Sequence, residues 1–191
     1  MTATLDGCVG LLDRSLVYTC ARLGEVRDDE LDRPTPCADW DLADLLAHMD
    51  DALDAFTEAA GGSVGRPGDR DLPVSASTSV CSIRAKATAL RGIWSRPTPG
   101  DVVIEAATGP LDLHTPLLVA TAALEVAVHG WDVARATGVG RPVPPELARD
   151  LLPMALALVG PADRGVRFAA ERPVRADASA DVRLLAYLGR T

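Results

Sequence analysis

Lysine is almost absent from this chain. Lys86 is the single one among 19 basic residues, and 27 acidic residues leave a net charge of −8. A chain this acidic has no surplus positive charge to neutralise phosphates, which argues against nucleic acid as a partner. Aromatic residues make up only 4%, so the core must be built from aliphatic side chains and alanine. The four cysteines, Cys8, Cys20, Cys37 and Cys81, are scattered without a CxxC pair. That excludes a dense disulfide framework and predicts free thiols in a reducing compartment. Long apolar runs are missing too: the longest, Pro116 to Val128, is too short for a bilayer and holds Glu125. The opening residues carry Asp6 and no basic start, so they do not read as a secretory leader. A cytoplasmic chain with no membrane partner is expected. Nor is there a GxGxxG after a strand, a GxxxxGK(S/T) or an HExxH.

What is present is helical periodicity. With 191 residues and 48% hydrophobic content, the chain is long enough for one globular domain that buries about 70% of its unfolded surface. Val9, Leu12, Leu16 and Leu23 give a first helix over Leu5 to Val26. RPTPCADW interrupts the pattern, and Asp39 is placed to cap a second helix from Trp40 to about Ala60. Gly61 to Pro73 reads as a long loop and Ser79 to Trp94 as a third helix. Two β-prone runs around Thr-Gly-Pro between Asp101 and Leu113 predict a hairpin. Thr115 to Thr137 is the most apolar helix, closed by Gly138; a fifth helix runs from Pro144 and Pro145 to about Val159, with Pro153 predicting a kink or an early stop. The expectation is an all-α fold: a helical bundle over residues 1–165 with a small β-hairpin, and a short tail, 166–191, packed on it.

Chemistry is concentrated on the fourth helix. Glu125 and His129 lie four residues apart on one face of an almost wholly apolar segment, with Asp132 one turn further on. A buried carboxylate there costs several kcal/mol unless it is paired or coordinated. Two readings remain open: an internal Glu–His hydrogen bond, or a cation held by both side chains. On the second helix, His48 sits beside the Leu42, Leu45, Leu46, Met49, Leu53 and Phe56 stripe, in a row with Ala52, Ala55 and Ala59. Small neighbours leave room beside the imidazole. Two imidazoles and one carboxylate suit Zn²⁺ with an open position, or non-haem iron. Asp132 is spaced to orient a ligand imidazole. His114, before the fourth helix, reads as a spare ligand, an acid–base group at the mouth of the site, or merely a polar helix start. Cys37 reads as a thiol facing the site or as a small buried apolar residue. Asp50, Asp51 and Asp54 read as the solvated face of the second helix.

TPCADWDLADLLAHM, LEVAVHGWDVARATG and ADASADVRLLAYLGR resemble the DinB/YfiT-like superfamily, in the branch containing the amino-terminal domain of mycothiol-dependent maleylpyruvate isomerase. The likeness is to short single-domain actinobacterial members and covers essentially the whole chain. It implies a DinB-like four-helix bundle and a divalent metal, most often Zn²⁺ with iron or nickel as alternatives, on His48, Glu125 and His129. It also implies mycothiol as cosubstrate. The isomerase itself carries a further carboxy-terminal domain, where this sequence has only a short tail.

The function expected from this likeness is metal-dependent chemistry of a low-molecular-weight thiol: S-transfer to, or isomerisation of, a small electrophile. Arg84 and Arg91 on the third helix are candidates to hold a substrate carboxylate, and Cys37 and His114 are the candidate reactive groups beside the metal. Two alternatives stand beside it. One is a thiol-independent metal-dependent hydrolase or tailoring enzyme. The other is a non-catalytic ligand-binding or stress-response protein, in which the same three residues form a buried polar network. A monomer or homodimer fits either.

Overall fold

Thr4 starts the first helix by accepting the Gly7 N–H on its side-chain oxygen (3.3 Å). The computed structural model describes residues 4–37, 39–64, 75–94, 101–106 and 109–190. Helix α1 spans Leu5–Leu23, α2 Leu42–Ala59, α3 Ala76–Trp94 and α4 Thr115–Ala136. These four pack as a bundle whose interior is aliphatic: Leu12, Leu16, Leu45, Leu46, Ile83, Leu90, Val119 and Ala123 are almost completely shielded from solvent. By length and composition α4 could cross a membrane, but 83% of its most apolar window is buried inside the bundle, which marks a core helix.

Two details place α2. Asp41, rather than Asp39, caps it: the Asp41 carboxylate accepts the Asp44 N–H (2.9 Å) while Asp44 accepts the Asp41 N–H. Asp39 is instead the one described non-glycine residue with positive φ, 68°, a conformation that aspartate tolerates better than most residues. It turns the chain so that Thr35 can bond both Cys37 and Trp40, folding the Pro34–Trp40 loop back towards α4. Arg33 secures the loop, donating to the Ala136 carbonyl at the end of α4 and to the buried Glu30 carboxylate.

Close approach of α1 to α4 requires Gly130. A Cβ there would lie 2.3 Å from Thr19 Oγ1, whose hydroxyl donates to the Val126 carbonyl (2.7 Å). No side chain fits that crossing.

The expected hairpin is present: β2 (Asp101–Ala106) pairs antiparallel with β3 (Gly109–His114), Asp101 opposite His114 and Ala106 opposite Gly109. Gly109 and Pro110 thus lie in the second strand, and Thr108 falls outside the described residues. A two-residue strand, β1 (Ser63–Val64), adds parallel to β2 within the stretch read as loop; residues 65–74 of that stretch fall outside the described residues. Helix α5, Pro145–Leu158, runs through Pro153 without stopping, with the proline ring on its exposed side. The tail forms α6 (Ala180–Tyr187), which buries Leu184, Leu185 and Ala186, with buried Leu188 just beyond it, and packs on α5. At Gly189 φ is +77° and a Cβ would collide with Ala169 at 2.7 Å, so only glycine permits the turn that sends Arg190 inward.

Candidate metal centre

Oε1 of Glu125 accepts hydrogen bonds from His48 Nε2 at 2.7 Å and from His129 Nε2 at 3.0 Å. The three residues come from α2 and from successive turns of α4, and one ligand atom from each lies within 4.8 Å of the other two. His129 is buried, while His48 and Glu125 keep about a quarter of their side-chain surface. One side of the cluster is therefore sealed and the other faces outward. The Trp40 ring lies 4.7 Å from that of His48 and covers its flank. A cavity of about 20 Å³, lined by Met49, Ala52, Leu53 and Ile83, reaches Glu125 and His129 from inside the bundle. That is room for about one water molecule.

Behind His129 lies a second layer. Asp132, completely buried, accepts from His129 Nδ1 at 3.0 Å. Arg190 arrives from the tail and donates through Nε to Oδ1 (2.8 Å) and through a terminal nitrogen to Oδ2 (2.8 Å). The same terminal nitrogen lies 3.2 Å from Cys37 Sγ, and the Cys37 thiol donates to Asp132 Oδ2 (3.3 Å). All four cysteines are free.

The electrostatics follow from this layering. Burial alone would raise the Glu125 carboxyl, but the two imidazoles against it, His129 first, hold it well below the ordinary carboxylate range. Burial would lower His129; Glu125 foremost, with Asp132 and Cys37, pushes it well above the ordinary imidazole range instead. Burial likewise opposes ionisation of Asp132, and hydrogen bonds from His129 and Arg190 overcome it. His129 thus faces a carboxylate with each ring nitrogen, Asp132 with Nδ1 and Glu125 with Nε2. Two imidazoles and a carboxylate converging in this way fit a divalent cation of the zinc type.

Among the described residues two donor sets are found, and they share His129. The second joins Cys37 Sγ, His129 Nδ1 and Asp132 Oδ2. It already contains the Arg190 guanidinium as its positive charge.

Other expected site residues lie elsewhere. His114 is exposed at the start of α4, eleven residues and about 16 Å along the axis from Glu125. Arg84 donates to the Cys20 carbonyl on α1, and Arg91 pairs with Asp13. Asp50 and Asp54 are not simply solvated: both grip Lys86 across the α2–α3 interface. Arg190 is the site residue that sequence reasoning missed. One signal was available: a buried glutamate and aspartate facing one histidine call for another cation, and LLAYLGR offers an arginine after an apolar turn.

Two curated relatives, Uncharacterized protein MT0763 of Mycobacterium tuberculosis strain CDC 1551 and Uncharacterized protein Rv0738 of strain H37Rv, are each 32% identical over 173 residues, covering 90% of this chain and 91% of the relative. Among solved structures, the mycothiol-dependent maleylpyruvate isomerase superposes with a TM-score of 0.52, and its histidine-to-alanine mutant with 0.54. Both are 16% identical and cover 82% of this chain and 71% of the other, a likeness of fold. The profile of the mycothiol maleylpyruvate isomerase N-terminal domain matches residues 12–134, a stretch that holds His48, Glu125, His129 and Asp132 but ends before Arg190. The chain belongs to that family.

Proposed function

We propose that this protein holds a divalent cation, zinc before iron or nickel, on His48, Glu125 and His129, and acts on a small electrophile with a low-molecular-weight thiol of the mycothiol class. The observation that carries this reading is the convergence of two imidazoles and a carboxylate at a point sealed on the Asp132 side and open on the other. When bound, the cation supplies positive charge that favours the thiolate form of a thiol brought to it at neutral pH.

The chain's own residues do the rest. Asp132 holds His129 by Nδ1, which leaves Nε2 directed at Glu125 and the shared point. Trp40 shields one flank of His48 from water, and the outward-facing edges of His48 and Glu125 leave a path for thiol and electrophile. An open cleft of about 280 Å³, bordered by Arg135, Arg172 and Arg190, lies on the Asp132 side and not on that path. Family membership supports the thiol, since the family takes its name from a mycothiol-dependent enzyme. The reaction proposed is S-transfer or isomerisation in the cytoplasm.

A second reading rests on its own observation. Glu125, His48, His129, Asp132 and Arg190 already satisfy one another through hydrogen bonds, as a purely structural network in a non-catalytic binding protein would. Elemental analysis of gently purified protein, paired with a thiol-transfer assay with and without mycothiol, separates the two. Stoichiometric metal and thiol-dependent turnover are expected. Metal-free protein with undiminished thermal stability sinks the metal reading, and turnover indifferent to mycothiol sinks the thiol.

A further inference from the structure

Two donor sets share His129, one on each ring nitrogen. The set on Nε2 is completed by His48 and Glu125; the set on Nδ1 is completed by Asp132 and Cys37. By chemistry alone the second is no poorer, because thiolate, imidazole and carboxylate together suit zinc, cobalt or cadmium. It is also the more deeply enclosed, with Asp132 fully shielded and His129 buried. What separates them is Arg190. Its guanidinium makes three contacts with the Asp132 carboxylate and one with Cys37 Sγ, so a fixed positive charge stands where a cation would need to sit.

We infer that Arg190 is a positioning residue that decides which nitrogen of His129 faces a metal: it fills the Cys37–Asp132 side with its own charge and leaves the His48–Glu125 side for the cation. It acts through Asp132 and touches neither His48 nor Glu125. Removing its charge uncovers a latent site in which Cys37, having given its proton to solvent, coordinates as a thiolate with Asp132 and His129 Nδ1. The choice of side rests on the metal reading proposed above, whereas the latent site stands on the Arg190 contacts themselves.

Cobalt(II) titration of metal-free protein tests this, because ligation by sulfur gives a thiolate-to-cobalt charge-transfer band that imidazole and carboxylate ligation does not. Wild type and Arg190→Lys, which keep the charge, are expected to bind cobalt without the band. Arg190→Met and Arg190→Gln are expected to show it, and adding Cys37→Ser to either is expected to abolish it. In a His48→Ala background, Arg190→Met should tighten cobalt binding by about tenfold or more. The glutamine variant keeps a hydrogen-bond donor towards Asp132, so it decides the matter if the methionine variant does not fold by circular dichroism. A band in wild type or in Arg190→Lys overturns the inference, and so does its absence from a folded methionine or glutamine variant. Failure of wild type to take up cobalt counts against the proposed function instead, and the band in the Arg190 variants still decides whether the latent site exists.

Discussion

Cys37 Sγ and Arg190 lie 3.2 Å apart although 153 positions separate them in the sequence. The contact ties the loop carrying Cys37 to the tail directly behind His129, so that histidine is backed by two segments remote in sequence. Disturbing either partner should be felt at the site even though neither belongs to the His48–Glu125–His129 set.

His48→Ala should reduce metal affinity by about 100-fold or more, since even outer partners of ligands change it by 10- to 100-fold. His48 is only half-buried, so the thermal midpoint of the metal-free variant should stay close to that of metal-free wild type. Metal content after dialysis and calorimetry of both apo proteins check the two halves.

Asp132→Ala strands the Arg190 charge in the interior. Breaking a buried ion pair on one side costs about 3–5 kcal/mol, and that loss is expected in urea unfolding with an unchanged slope. Arg190→Met, which strands Asp132, should cost a similar amount.

The metal-free protein should be most stable in mildly acidic solution. Folding holds Glu125 and Asp132 below their ordinary values of 4.5 and 3.8, so their contribution is present above those values and is lost as pH falls through the folded ones. Folding holds His129 above 6.5, so its contribution is full below 6.5 and is lost as pH rises through its folded value. Tm against pH should therefore fall on both sides, with Asp132→Asn flattening the acid limb and His129→Gln the alkaline one. Metal affinity should rise with pH, because protons compete with a cation for His129.

Gly130→Ala places a methyl against Thr19 Oγ1 and forces α1 from α4. Overpacking of this kind costs about 1–3 kcal/mol, measurable by chemical denaturation. A Tm indistinguishable from wild type would show that the crossing has slack.

His114→Ala, Arg84→Ala and Arg91→Ala should leave metal retention unchanged. The exposed Arg91–Asp13 pair should contribute no more than about 1 kcal/mol to stability. Metal analysis of the three variants checks their remoteness from the site.

How far the sequence revealed these features depends on separation along the chain. Glu125, His129 and Asp132 were legible because helical periodicity fixes their common face and the apolar residues around them make charge conspicuous. His48 was legible through its alanine neighbours, and the hairpin through its β-prone runs. Arg190 was not, because no periodicity links the tail to α4 and only the completed fold brings them together. Asp41 outcompeted Asp39 as the cap through reciprocal bonding with Asp44, a cue present in DWDLAD. β1 was too short, at two residues, to leave a pattern. Pro153 does not end α5, as a proline in the interior of a helix often does.

The inward turn at Gly189 bears on the order in which the molecule assembles. Glu125 and Asp132 both lie on α4, whereas the arginine that meets Asp132 follows α6. Maturation of the site should therefore trail formation of the bundle, and a chain cut before residue 190 should collapse into a helical body whose interior carboxylate attracts whatever cation is at hand.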